Sequence, residues 1–492
     1  MTHTGQLGAL GHALGGSSTQ RNVGIGARPK ARASGHPPTR AKASRPSGSE
    51  AACSRSRLND QCRKMQRLPV QFSSNAGEPV TNMTEHGRSE FGRYYTKPAI
   101  GQALVDLMLL RRPKGLIDLG VGGGSLALAA ARRWSNLNLL TIDVDATSDR
   151  RLTKLLATEE ICRHRHLVTD ALEPGLAGLV REEFGRFDAA VCNPPFTTPV
   201  WRKGFDEILE ESGFSGCMPV LADSDSALLF LSQALRLLGQ GSTLGIILPD
   251  SLVSGAKYRK FRQELLLRYR VDAVVRLPSR SFMHTDALAH IVIIRKGYGG
   301  STLIPLRRLV GGNLSPEAIT VNVQQATTRM DFDFHATTVN GPTIANTSAV
   351  RPLGDLVLGI HRGSVQATAS RQAGIRVFHT TDMPESLTGR WITLGARRPA
   401  LSDRRTWAES GDILVARVGR NLDRKVLGAF SGCALLTDCV YRVRMPAALA
   451  TQALKQLSSD YGRTWLASRS SGVAARHLSL ADLLNFPLRL EE

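Results

Sequence analysis

The chain has 492 residues, 42% of them hydrophobic, and carries 63 Lys and Arg against 42 Asp and Glu for a net charge of +21. That length holds two or three domains with sizeable cores, and that charge points to a polyanionic partner, either nucleic acid or an anionic membrane surface. No apolar run approaches the roughly 18 to 20 residues that span a bilayer, no signal-peptide core opens the chain, and the seven scattered cysteines form no Cys-x-x-Cys pair, so a cytoplasmic protein with reduced thiols and no metal site is expected.

Residues 1–82 are rich in Gly, Ser, Ala, Pro and Arg and show no helical or strand period. They read as a disordered basic tail, because such a segment buries too little apolar surface to offset its ordering entropy. Residues 1–70 hold 12 Lys or Arg and 2 Asp or Glu. The tail is either an arm adding nonspecific phosphate contacts or a dispensable extension, with Met83 as an alternative first residue.

From Phe91 strands and helices alternate. Strands are expected at GLIDL (115–119), LNLLTID (137–143), HLVTD (166–170), FDAAVC (187–192), TLGIILP (243–249), VDAVVRL (271–277) and AHIVIIRK (289–296). Amphipathic helical stretches separate several of them, most clearly SALLFLSQALRLLGQGS. This pattern predicts an open, mainly parallel, Rossmann-like α/β sheet of seven strands over residues 83–300, with ligands at the carboxyl ends of the strands. Residues 301–345 read as a polar connector, and residues 346–492 as a smaller α+β domain with short β-like runs at DILVARV and CVYRVRM.

Three constellations carry chemistry. In LIDLGVGGGSLALAAA, Asp118 closes a strand, Gly120, Gly122 and Gly124 follow, and a helix of small residues begins. Such glycines permit a tight turn and close approach to a ligand, or serve only strand–helix packing. Asp143 ends the next strand, 19 residues beyond Gly124, where a carboxylate can grip ribose hydroxyls. Asp118 would repel a pyrophosphate but suits an ammonium, which favours S-adenosylmethionine over NAD. Asp170 is either an acceptor for the adenine amino group or a helix cap.

The second constellation is AAVCNPPFTTP. The strand stops at Asn193, and two prolines stiffen the corner that follows. The Asn193 side-chain oxygen and the Pro194 carbonyl can both accept from an exocyclic NH2 and favour a geometry that frees its delocalised lone pair, while Phe196 offers a face for a planar ring. A rigid turn with a solvent-facing Asn is the plainer alternative. Cys192 precedes the corner and reads as core.

Asp118-Leu-Gly-Val-Gly-Gly-Gly followed by Asn193-Pro-Pro-Phe196 resembles the N6-adenine DNA methyltransferases of gamma-type motif order, as found in type I and type IIG-like modification enzymes. Upstream, FGRYYTKPAIGQALVDLM is similar to the segment that opens their catalytic domain over the cofactor, with Lys97 inserted between Thr96 and Pro98; it implies cofactor contacts from Tyr95 and Thr96. Downstream, LPSRSFMHTDALAHIVIIRK resembles their late hairpin, placing Phe282 by the target base, with His290 where a small polar residue is expected. The resemblance covers about residues 91–298. It implies S-adenosylmethionine as cofactor, catalysis by Asn193, Pro194, Pro195 and Phe196, and neither a metal nor a cysteine nucleophile.

The third constellation comprises VRPLGDLVLGIHRGSV, ESGDILVARVGRNLDRKVLG, LLTDCVYRVRM and SGVAARHLSLADLLNFPLRL. In this order they resemble the target recognition domain of type I specificity subunits, here with one recognition unit where those subunits commonly have two. Residues 346–492 carry 20 Lys or Arg against 12 Asp or Glu, and Arg417, Arg420, Arg424 and Lys425 suit phosphate or guanine contacts. The expected partner is double-stranded DNA; no Gly-x-x-x-x-Gly-Lys loop or nuclease segment is evident, so any restriction activity would come from a separate restriction or specificity subunit, and the enzyme could equally act alone as a protective or epigenetic methylase; no membrane association is expected. Methylation of RNA or of a protein glutamine, and a noncatalytic DNA-binding scaffold, are the competing readings.

Overall fold

The computed structural model describes residues 96–218, 220, 224–282, 287–340, 349–366, 368, 377–395, 404–473 and 475–490. The expectations for the tail at 1–82 and for Tyr95 lie outside these residues. No helix among them is long and apolar enough to cross a membrane.

The alternating segments build one mixed α/β layer. Its strands are β1 (Gly115–Leu119), β2 (Leu137–Asp143), β3 (Ile161–Val168), β4 (Ala189–Cys192), β5 (Thr243–Pro249), β6 (Arg270–Arg276), β7 (Ala289–Arg295), β8 (Leu303–Val310), β9 (Asn313–Leu314) and β10 (Ile319–Asn322). They lie in the order β10-β8-β6-β7-β5-β4-β1-β2-β3, with β9 paired to β8. Strands β3, β2, β1, β4 and β5 are parallel, whereas β7 runs antiparallel between β5 and β6. Strands β1, β4 and β5 are buried throughout, as expected of a parallel sheet covered on both faces. The apolar helix Ser226–Leu237 packs on this layer, capped by the Asp225 side chain accepting from the Ala227 N–H.

Three expectations are corrected here. Among the described residues the sheet has ten strands, not seven, and the stretch expected as a connector supplies the extra ones. Within 301–340, β8, β9 and β10 extend the sheet, and the helices Val323–Thr328 and Phe332–Asn340 follow. Strand β8 alternates buried and more exposed residues, and its Ile304 and Leu306 join the same core as β5 and β6. The third strand also begins earlier than expected, so Asp170 lies two residues past its end.

In residues 349–490 a second hydrophobic cluster forms around a five-stranded sheet in the order β11-β15-β13-β14-β12, where β11 is Gly359–Arg362, β12 Trp391–Thr393, β13 Ile413–Ala416, β14 Val426–Ser431 and β15 Val440–Arg444. Short two-stranded pairs and the helices Ala447–Ser458 and Asp460–Arg469 complete it. This region meets the sheet through polar contacts. Arg329 Nη1 donates to the Arg469 carbonyl at 2.8 Å, and Arg469 Nη1 donates to the Phe334 carbonyl at 3.0 Å.

Candidate catalytic edge

The chain runs outward from β1 through β2 to β3, then returns to the other side of β1 with β4. A crevice therefore opens where the strand order reverses, at the carboxyl ends of β1 and β4. Leu119 of β1 lies beside Cys192 of β4, which lies beside Ile246 of β5. Gly120 and Asn193 are the next residues of their strands, so the glycine turn and the proline corner emerge side by side.

All three predicted glycines have left-handed backbones, with φ of +76° at Gly120, +52° at Gly122 and +81° at Gly124. A Cβ on Gly124 would sit 2.6 Å from Leu152 Cδ2, so this position also serves packing. A Cβ on Gly122 would meet nothing nearer than the Gly120 carbonyl oxygen at 4.0 Å: it would fill open space above the turn. The helix Ser125–Arg133 starts directly after the turn.

Two carboxylates flank this space. Asp118 is 1% exposed, and its Oδ2 is buried without a hydrogen-bond partner. Burial pushes its carboxyl up to about 8, opposed by the Ala127 N–H and reinforced by the neighbouring Asp143. An orphaned buried carboxyl of this kind suits an incoming cation or N–H donor. Asp143 is 4% exposed and accepts from the Gly122 N–H at 2.8 Å and the Asp145 N–H at 3.0 Å, so it shapes the turn as well as ending β2. The open cradle and the unpartnered carboxylate together fit the nucleoside and cationic ends of S-adenosylmethionine. Asp170 accepts from the Leu172 N–H at 2.8 Å, two residues on, and pairs with Arg202 at 2.7 Å, while the next helix, Leu176–Glu183, starts beyond its reach with Gly175 at its N-cap.

At the corner, Asn193 Nδ2 donates to Thr96 Oγ1 at 2.9 Å, which turns Oδ1 into the acceptor end of the amide. Pro194 is buried. Phe196 meets Phe282 edge-to-face, with centroids 5.6 Å apart and rings at 88°. Thr96 and Phe282 form an isolated antiparallel bridge. Residues from the opening segment, the corner and the late hairpin are thus brought together. Phe282 departs from its expected role: at 2% exposure it belongs to the core behind Phe196 and presents no face to solvent. Cys192 is buried and donates to the Leu119 carbonyl, and burial raises its thiol well above the usual range, as suits a core residue.

The four basic residues chosen for DNA contact divide. Arg417 donates to the Asp438 carbonyl at 2.8 Å, and Lys425 to the Thr380 carbonyl at 2.9 Å, so both support the local backbone. Arg424 pairs with Glu385 at 3.6 Å. Arg420 is exposed and has no ion pair among the described residues. A cleft of about 890 Å³ lies elsewhere, between β8 and the helices Phe332–Asn340 and Asp460–Arg469. Four acids and three arginines line it, and none of the residues of the catalytic edge does, so its mixed charge and position separate it from the chemistry above.

Sequence reasoning overlooked Asp250 and Arg202. Asp250 follows β5 as Asp118 and Asp143 close β1 and β2, a signal present in the LPD tripeptide. It is 1% exposed and accepts from Ser254 Oγ at 2.7 Å and the Gly472 N–H at 3.0 Å, with His290 Nε2 3.0 Å away. Burial alone would raise its carboxyl, but the His290 hydrogen bond and the nearby Arg276 hold it well below the usual range. His290 therefore stands on β7 as the partner of this carboxylate. Nothing in TTPVWRKG announced that Arg202 would reach Asp170.

The strand order defines an α/β fold with a glycine turn at the carboxyl end of β1, and residues 80–303 match the family model described as N-6 DNA Methylase. Among curated relatives, the type I restriction enzyme MpnII methylase subunit of Mycoplasma pneumoniae is 29% identical over 111 residues, 22% of this chain and 20% of that protein. The rRNA N(6)-adenosine-methyltransferase metl-5 of Caenorhabditis elegans is 38% identical over 86 residues, 17% of this chain and 38% of that protein. These matches span well under two thirds of either relative. Among solved structures, the type IIG restriction endonuclease BpuSI aligns over 80% of this chain and 58% of its own, with 12% identity and a TM-score of 0.46. A modification subunit of a putative type I restriction enzyme from Vibrio vulnificus YJ016 covers 55% of this chain and 54% of its own, with 18% identity and a TM-score of 0.37.

Proposed function

We propose that this chain transfers a methyl group from S-adenosylmethionine to N6 of adenine in DNA. The observation that supports this reading best is the placement of Asn193, hydrogen-bonded to Thr96, at the strand end next to the Gly120 turn. Bound at that turn, S-adenosylmethionine would supply an electrophilic methyl on a cationic sulfur with a neutral thioether as leaving group, and the target amine would lose one proton as it gains the methyl. Asp118, Gly120, Gly122 and Asp143 would hold it. Asn193 Oδ1 and the Pro194 carbonyl would accept from the target NH2, and the stiff corner keeps these acceptors in place without reorganisation during the reaction. Phe196, backed by Phe282, would stack on the base. An adenine N6 is inaccessible inside a duplex, so the base must turn out of the stack to reach the corner. Residues 349–490 would select the DNA site, and a specificity or restriction subunit is the protein partner this reading implies.

The 38% identity to an rRNA methyltransferase gives RNA a specific claim as the alternative acceptor, because the same corner accepts any adenine amine. Incubation with tritium-labelled cofactor and DNA, RNA or protein separates the readings. Label entering DNA, together with a loss of about 10²–10³-fold in Asn193→Ala while cofactor and DNA still bind, is the expected result. Label entering only RNA or protein overturns the proposal.

A further inference from the structure

Among the described residues, the region beyond Val350 reaches the catalytic edge by one short strap, residues 470–473 and 475–477. Gly472 N donates to the buried Asp250 carboxylate at 3.0 Å, and one residue later the Val473 carbonyl accepts from Leu288 N at 3.3 Å. The Val473 side chain packs against the same cluster as Phe196, Phe282 and Ala287. The strap is built for this course. Gly472 has φ of +131°, and a Cβ there would lie 2.3 Å from the Ala475 carbonyl oxygen, so only glycine makes the turn. The strap closes on itself through paired Ser471 and His477 backbones, and Arg476 Nη2 donates to the Ala467 carbonyl.

Every group that faces the Asp250 carboxylate at hydrogen-bond distance is a donor: Ser254 Oγ, His290 Nε2 and the Gly472 N–H. Asp250 follows β5, next in the sheet to the strand that delivers Asn193. Val473 of the strap thus packs against the same hydrophobic cluster that holds Phe282 and borders Phe196.

Resting on the proposed function, we infer that the strap residues Ser470–Val473 form part of the wall of the target-base pocket and that Asp250 is the positioning residue that holds them there. The region beyond Val350 then contributes to the methyl-transfer step itself, besides any part it plays in finding a site. Val473, through its contact with the Phe196 and Phe282 cluster, sets the position of the stacking ring.

The test uses the full chain and three variants, Gly472→Ala, Val473→Asp and Asp250→Ala, with single-turnover methylation at saturating DNA and labelled S-adenosylmethionine. A displacement on the order of 1 Å at a reacting centre costs about 100-fold. The expected result is a fall of about ten- to 100-fold in the single-turnover rate for Gly472→Ala and Val473→Asp, with the Kd for cofactor and for DNA changed less than about threefold. Asp250→Ala removes a buried acceptor from three donors and can unfold the chain, so the two strap variants decide the matter. A rate unchanged in both strap variants at saturating DNA, with any loss confined to subsaturating DNA, overturns the inference, since a strap that only docks the C-terminal region would move DNA affinity alone. If the parent chain labels no DNA, the functional reading fails first, which is a distinguishable outcome.

Discussion

Asp118 offers the sharpest test of the cofactor site. Its side chain is 1% exposed, its Oδ2 has no hydrogen-bond partner, and burial pushes its carboxyl from the ordinary 3.8 up to about 8. An acid whose pKa is raised by folding holds its proton longer in the folded than in the unfolded chain. Between about pH 4 and 8 the folded state binds the extra proton, so its stability falls as pH rises through this window. At ~1.4 kcal/mol for each pH unit, the full loss above pH 8 is on the order of 5 kcal/mol. Asp118→Asn keeps the shape and cannot ionise. Its thermal midpoint is therefore expected to gain on the parent as pH is raised from 5 to 8. A cationic ligand reverses the balance, because it favours the carboxylate. Binding of S-adenosylmethionine to the parent below pH 8 should release close to one proton and tighten with rising pH, by up to about tenfold per unit, whereas Asp118→Asn should bind weakly with no such slope. Calorimetry at pH 7 in two buffers of different ionisation enthalpy reads the proton directly. No proton release, or equal affinity and equal pH dependence in Asp118→Asn, would refute both the placement of the cation and the argument from burial.

Three further substitutions probe other parts of the chain. Arg262 is fully buried and donates to the carbonyls of Thr327, Thr328, Leu252 and Gly255, so Arg262→Ala should cost about 3–5 kcal/mol in denaturant unfolding; a cost below ~1 kcal/mol would mean that water replaces the guanidinium. Gly124→Ala forces a side chain onto a backbone at φ +81° and against Leu152, and should lose about 1–3 kcal/mol of stability and weaken the cofactor in the same calorimetric assay. Arg420→Ala should leave the melting curve unchanged, weaken DNA uniformly across sequences and lower the salt slope of binding by about 1; a sequence-selective loss would make it a base contact instead.

Strands β1, β2 and β5 are legible residue for residue because parallel strands buried on both faces appear as apolar runs ending in a turn or a carboxylate. Strand β3 is an edge strand whose ICRHRHLV sequence mixes charges into the pattern. His164 and His166 both turn to Thr141 Oγ1 at 2.9 Å, a cross-strand contact that no single stretch of sequence displays. The extension to ten strands was hidden by Pro305 and by short polar strands, although NVQQ at 322–325 carries a legible helix start: Asn322 and Gln325 form a reciprocal capping box. The corner and glycine turn were readable as motifs, but their adjacency depends on β1 pairing with β4, and the Asn193 to Thr96 bond joins residues 97 apart. Among the arginines, composition gave the sign of the field and misled on individuals, since a guanidinium that supports a carbonyl looks the same in sequence as one that faces solvent.

The junction between the sheet and the C-terminal region is polar where an apolar seam would also hold, and the difference has consequences for geometry. Arg276 pairs with Asp333 at 2.7 Å and stands 4.0 Å from Asp250, Arg329 pairs with Asp331 at 2.7 Å, and Arg469 lies over the Phe334 ring at 3.9 Å. Such buried ions gain little net stability over well-packed apolar groups, because desolvation offsets their attraction. Their acceptors, however, are individual groups: the carboxylates of Asp250, Asp331 and Asp333 and the carbonyls of Phe334 and Arg469. Two apolar faces can slide by a fraction of a residue at small cost, whereas a guanidinium displaced by the same amount leaves a buried charge unmatched. Under the proposed function, a region that selects a DNA site beside an edge that moves a single methyl group needs a fixed height above that edge more than it needs tight association. The placement of these ions on the carboxyl side of the sheet, where Gly472 meets Asp250, answers that need.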